Sequence, residues 1–420
     1  MNKINDNNKL SGIMFGNPVT GEDFFDRDRE LYEFIELIEN GANILVTAPR
    51  RIGKTSLLLE AGIRLSDRYI ILFTDVQACT TEIDAILKLA MVAKDHRDIG
   101  QKIFDSFRNV FEKLSPHIGE LSVAQISAKF REGIAPDWRA RADEILNRLA
   151  GLDKNAVLCF DELPVLISAL FDGEDHRMTS EGVKKARVFL SWLREATIKH
   201  RGKIRFVVSG SIGLEPLLSR AGISETINTF TPFVLQSWER LTALSYIADR
   251  AQRNSINFHS GATDLLLDKL GDFIPHHVAM FMHFVRKDVR DRGSSDCTRE
   301  DIERIYQQQM LSVHGHVDLA TYEDRLKRVV GEETLRAALE LLTEAAIVGR
   351  LSPSAAMTIL VGQGFPRPQA VEILRFLLNV FIHDGYLKKS SNDEYLFKSF
   401  LLRDWWRHHF GFGYVAAAER

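Results

Sequence analysis

The feature that most restricts the fold of this chain is a short basic loop, Ala48-Pro49-Arg50-Arg51-Ile52-Gly53-Lys54-Thr55, set between two apolar segments. Asn43-Ile44-Leu45-Val46-Thr47 reads as a buried strand, and Thr55 to Leu65 reads as a helix. A strand, a glycine-bearing loop and a helix in that order make a phosphate loop. The backbone N–H groups of the turn face inward around an oxyanion, and the helix adds its positive end. Gly53 permits close backbone approach, Lys54 reaches the β- and γ-phosphates, and the Thr55 hydroxyl is a ligand for Mg²⁺. Pro49, Arg50, Arg51, Ile52 and Ser56 complete the expected ATP-binding segment, with one arginine expected on phosphate and the other structural. The pattern departs only at Ala48, where glycine is usual. A positive φ there would cost alanine about 1 kcal/mol.

Further apolar runs, Tyr69 to Phe73, Ala156 to Phe160 and Ile204 to Val208, read as buried strands of a parallel α/β sheet that finishes near Pro232. Helical spacing of Leu31, Phe34, Ile35 and Ile38 marks residues 24–39, and residues 80–150 read as mostly helical with a break near Ser115-Pro116. The third run ends in Asp161-Glu162. A buried strand carries this pair to its C-terminal tip, where open α/β sheets bind ligands. Asp161 is expected to hold Mg²⁺, directly or through water, and Glu162 to orient and deprotonate an attacking water. A solvated acidic turn would look the same in isolation; its place about a hundred residues after a phosphate loop gives it weight. Ser211 closes the next strand. It either touches the γ-phosphate or the water, or caps a helix at Ile212–Leu218. Arg220, beyond that helix, is a candidate arginine finger, in cis or for a neighbouring subunit.

Composition narrows the remaining choices. The 420 residues suggest two or three domains, and a net charge of -3 excludes a uniformly basic binder while leaving room for a local basic patch. Three cysteines, far apart, support neither a disulfide framework nor a cysteine-based zinc cluster. No signal peptide and no run of roughly 18 apolar residues is present, so a cytoplasmic, membrane-free protein is expected. We divide the chain into an N-terminal arm (1–20), an α/β core (21–235), a helical lid (236–315) and a winged-helix domain (316–420). In the last, His383-Asp384-Gly385-Tyr386-Leu387 and Glu394-Tyr395-Leu396-Phe397 flank a polar turn after helices. Lys388-Lys389 there offers phosphate contacts, but Asp393 and Glu394 follow at once. Trp405-Trp406 reads as packing against the wing rather than a stacking platform, the Phe273–Phe284 stretch as lid core, and His276, His277, His314 and His316 as non-ligating.

Several of these segments together resemble archaeal-type P-loop ATPases of the STAND/AAA+ assemblage. Phe24-Phe25-Asp26-Arg27-Asp28-Arg29-Glu30 is similar to the F-x-x-R-x-x-E box that precedes the loop, with Asp26 where a small glycine is usual. Ala48 to Leu58 resembles the G-P-R-R-x-G-K-T-S-L-L run, and Val208-Ser209-Gly210-Ser211 a strand ending in G-S. Gly271 to His276 is similar to a Gly-x-x-Pro stretch of the lid, and Asp384 to Leu387 with Phe400 to Trp406 to the winged-helix ending. The resemblance covers about residues 20 to 410. It implies an AAA+-like sheet core, a helical lid and a winged helix whose relative positions follow nucleotide state, with Pro275 near the adenine. It implies slow hydrolysis of Mg·ATP and a conformational switch acting on a protein partner, with ATP-dependent homo-oligomers. The alternative is ATP-regulated DNA binding through the winged helix, as in origin-recognition or transposition-helper proteins.

Overall fold

The computed structural model describes residue 13 and residues 15–96, 100, 138–171 and 178–420, so the break expected near Ser115-Pro116 lies outside the described residues. The chain divides into two compact units. One comprises Arg27–Pro49 and Leu57–Leu235; the other comprises Met1–Asp26, Arg50–Ser56 and Gln236–Arg420.

The first unit is built on a parallel sheet of five strands among the described residues: β1 (Ile44–Thr47), β2 (Tyr69–Asp75), β3 (Asn155–Asp161), β4 (Ile204–Ser209) and β5 (Thr231–Val234), in the order β2-β3-β4-β1-β5. Central β3 and β4 are apolar on both faces, as strands covered by helices on both sides must be, whereas edge strand β2 alternates. β5 is not legible as a strand from the sequence. It carries Pro232, which a ladder tolerates because β5 is an edge that pairs only with β1. α1 (Asp28–Glu39) precedes β1, and the connections between strands carry α2 (Lys54–Leu65), α3 (Glu82–Asp95), α4 (Trp138–Ala150), α5 (Leu163–Phe171), α6 (Ser180–Lys199) and α7 (Leu214–Ala221). α1 turns Leu31, Phe34 and Ile38 inward, and the Phe34 ring meets Phe233 of β5 edge-on at 5.4 Å. α3 is opened by a capping box in which Thr81 and Asp84 satisfy each other's backbone N–H.

The second unit is helical. It contains α8 (Arg240–Arg253), α9 (Ala262–Leu270), α10 (Pro275–Asp291), α11 (Arg299–Ile305), α12 (Val313–Val330), α13 (Glu332–Val348), α14 (Pro353–Gly362), α15 (Arg367–His383) and α16 (Phe400–Phe410). The expectation of helices alone between 236 and 310 needs one correction: β6 (Asn257–Phe258) and β7 (Asp296–Cys297) pair in parallel across two residues each. Val278 to Met282, with Phe284 and Val285, form the buried face of α10. Beyond α15, β8 (Leu387–Lys389) and β9 (Tyr395–Phe397) make the antiparallel wing. Trp405 and Trp406 of α16 are buried beside it, and Trp406 Nε1 donates to Thr343 Oγ1 at 3.2 Å, so the tandem tryptophans pack rather than face solvent. The described end of the N-terminal arm is packed: Ile13 is buried, and Phe15 lies against His276 and His283.

Candidate nucleotide site

The phosphate loop leaves β1 at the C-terminal edge of the sheet and ends where α2 begins, at Lys54. Gly53 has φ +100 with open space where a Cβ would stand, and Arg51 takes φ 65, so the backbone reverses twice within three residues. Such alternation turns successive N–H groups toward one side of the chain. Ala48 is not among the positive-φ residues, so the missing glycine carries no backbone penalty. Asp26 does take a positive φ, 45, which explains why a glycine suits that place in the resembling box. Lys54 is only 6% exposed. The loop is held in place on both flanks within its unit: Val19 N–H donates to Ser56 Oγ at 3.0 Å, and Arg51 donates to the Gly16 carbonyl at 3.2 Å and to Asp318 of α12. Arg51 is therefore anchored at both Gly16 and Asp318.

The acidic pair stands at the C-terminal end of β3. Asp75 is in register with Asp161, and Ser209 of β4 with Val46 of β1, one residue before the strand gives way to the loop. Asp161 is 4% exposed, and Ser209 Oγ donates to its Oδ1. Glu162 takes φ 60, a conformation that costs an ordinary side chain about 1 kcal/mol or more. Its Oε2 accepts from the Ser211 backbone N–H at 3.0 Å and from Ser211 Oγ at 2.5 Å. Gly210, between the two serines, admits no side chain, because a Cβ would fall 2.3 Å from the Pro164 ring. Ser211 does not cap the following helix, whose N-cap is Gly213. Arg220 lies on the exposed last turn of α7, and Pro275 is the first residue of α10.

Sequence reasoning missed a stripe on α12. Asp318, Tyr322 and Arg325 recur at i, i+4 and i+7 and so share one helix face. Asp318 accepts from Arg51 and, at 2.9 Å, from His276 Nε2. Burial alone would raise the Asp318 carboxyl, but the His276 hydrogen bond and the Arg51 charge outweigh it and hold it at about 2. Burial pushes His276 below the usual imidazole value, against the Asp318 hydrogen bond, and pushes its neighbour His277, 1% exposed, down to about 3, so His277 is neutral. Tyr322 is 3% exposed, and its carbonyl accepts the Tyr386 hydroxyl from the base of the wing at 2.6 Å.

Solved structures show what kind of fold this is. A Walker-type ATPase of Pyrococcus abyssi superposes with a TM-score of 0.59 at 17% identity, over 94% of this chain and 99% of that one. The ORC2 protein of Aeropyrum pernix, solved in ADPNP–ADP complexes, superposes with a TM-score of 0.50 at 12% identity, over 92% of this chain and 96% of that one. No family model and no curated protein matches the sequence. The chain thus shares the fold of that Walker-type ATPase and of ORC2: a parallel sheet of five strands among the described residues, and a helical part that carries a two-stranded antiparallel hairpin near its end.

Proposed function

We propose that this protein binds and slowly hydrolyses Mg·ATP, and uses the nucleotide state as a conformational switch on a partner protein. The observation that carries the reading is the phosphate loop, with Gly53 and Arg51 at positive φ and Lys54 and Thr55 opening α2. Lys54 neutralises phosphate charge and the loop amides grip phosphate oxygens. Thr55 and Asp161 are the residues that would hold Mg²⁺. A hydroxyl and a carboxylate are hard oxygen donors, and Ser209 already orients the Asp161 carboxylate. The ion when bound would polarise phosphate oxygens and offset their charge. Glu162 accepts a proton from the attacking water, and Ser211 positions it. Arg220 as a finger and Pro275 beside the adenine rest on the resemblance alone.

Support for a switch comes from α12, which links the phosphate-loop arginine, through Asp318, to the wing, through Tyr322 and Tyr386. Support for a protein partner rather than DNA comes from the winged helix. The exposed face of α15 presents Arg367, Val371, Glu372, Arg375, Asn379 and Ile382, two cations against one acid rather than a basic cluster. At the wing turn, Lys389 is paired with Asp393 at 2.6 Å. Phosphate-binding surfaces carry clustered unpaired cations instead. The test is ATP affinity, turnover and size in solution for the wild type and Lys54→Ala. We expect Lys54→Ala to lose ATP affinity by about a hundredfold or more. An unchanged affinity removes the phosphate-loop reading.

A further inference from the structure

A ring of contacts closes around Arg51 of the phosphate loop. Its guanidinium donates to the Gly16 carbonyl at 3.2 Å and to Asp318 Oδ1. The other Asp318 oxygen accepts from His276 Nε2 at 2.9 Å. The His276 ring lies 5.7 Å from that of Phe15, the residue bonded to Gly16, and Phe15 also meets His283, about two turns further along α10, at 4.8 Å. The arm, the loop, α12 and the first turn of α10 are therefore joined in one circuit. It is mostly closed to water: the side chains of Arg51, Asp318 and His276 are 22%, 17% and 7% exposed. A charge-assisted pair so placed is screened less than a surface one. Arg51 needs such a tie. It sits at φ 65, a conformation that costs an ordinary side chain about 1 kcal/mol, whereas Gly53 reaches φ +100 at no such cost. Half of the loop's reversal is thus free, and half is held by partners 35 and 267 residues away in the chain. Gly16 itself has φ +94, with open space where a Cβ would stand.

We propose that Asp318 is a positioning residue of the phosphate loop. By holding Arg51 it keeps the left-handed turn that presents the loop amides, and it makes that turn conditional on the seating of the arm and of α10. Asp318 acts through Arg51 and touches no phosphate itself. His276 shares the carboxylate, so a displacement of the first turn of α10 reaches the loop, and phosphate held by the loop steadies α10 in return. The use of the turn, gripping phosphate, rests on the function proposed above; the coupling of loop, arm and α10 does not.

The test uses the full-length chain as wild type, Asp318→Asn, Arg51→Gly and the double variant, each shown to be folded by thermal melting. Backbone amide hydrogen exchange is followed without nucleotide, and ATP affinity is measured alongside. We expect Asp318→Asn to speed exchange over residues 50–58 about tenfold, to leave β3 unchanged, and to weaken ATP about tenfold. Glycine accepts a positive φ unaided, so adding Asp318→Asn to Arg51→Gly should alter neither property. Gly16→Ala, at an exposed position with room for the methyl group, loosens the circuit from the arm; it should speed exchange over 50–58 about threefold, and it stands in if Asp318→Asn does not fold. Exchange over 50–58 at the wild-type rate overturns the proposal. So does a rise spread equally over β3, which marks a loss of overall stability. An effect of Asp318→Asn as large in the Arg51→Gly chain as in the wild type shows that Asp318 does not act through Arg51, and overturns it too. Unchanged ATP affinity in a chain that binds ATP removes the positioning role. A wild-type chain that binds no ATP fails the phosphate-loop reading, and exchange alone then decides the coupling.

Discussion

At the end of β3, Asp161 and Glu162 each accept a serine hydroxyl, from Ser209 and Ser211. Along α12, by contrast, the Tyr322 hydroxyl, and beside it Arg50 Nε and both His277 nitrogens, have no partner among the described residues. Both regions bury polar atoms, but on α12 the hydrogen bonds to Asp318 and to the Tyr322 carbonyl stand beside atoms that have none among the described residues. Unpaired buried donors cost free energy, about 1–3 kcal/mol each, and persist only where something repays them. The acidic corner is thus preorganised, its carboxylates aimed before any ligand comes.

Four measurements press on that contrast. The largest effect is expected from Glu162→Gln, which should cut ATP turnover about 10²- to 10⁴-fold while leaving ATP binding intact; hydrolysis at the wild-type rate would remove Glu162 as the base. Ser211→Ala should lower kcat about tenfold with little change in ATP affinity, because it frees the carboxylate without touching phosphate. An equal loss in affinity would instead make Ser211 a phosphate contact. The third test concerns pH. His277 sits at about 3 in the fold against 6.5 unfolded, so between those values the unfolded chain binds the extra proton. Stability is therefore full above 6.5 and falls as pH drops. His277→Phe should flatten urea-unfolding stability between pH 6.5 and 4 by up to about 1.4 kcal/mol per pH unit, leaving the loss below 4 that comes from Asp318 and other carboxylates. A slope unchanged by the substitution would mean that His277 is not the neutral group described. The smallest effect is expected from Lys388→Ala with Lys389→Ala: duplex DNA binding and its salt dependence should not change. A reduced salt slope would restore the wing as a DNA contact.

The phosphate loop and the acidic pair were legible because each is a contiguous run whose flanking apolar segments announce strand and helix. The edge strand β5 was not, since Pro232 and an exposed face erase the strand pattern. Ser209 looked like an ordinary strand end, and nothing local tells that its hydroxyl meets Asp161, 48 residues earlier. The α12 stripe has a signal in retrospect, Asp318, Tyr322 and Arg325 at helical spacing. A polar helix face usually faces water, however, so spacing alone could not mark this one as buried.

What depends on neighbours in sequence was legible in the sequence: a glycine-bearing loop between a strand and a helix, a strand ending in two carboxylates, and a hairpin whose lysines are followed by acids. Which arginine of the loop is anchored was decided only by the tertiary structure. That choice turns on Asp318, 267 residues downstream of Arg51. Hydrogen-bond satisfaction is a property of what surrounds an atom in space, and a linear sequence carries no measure of it.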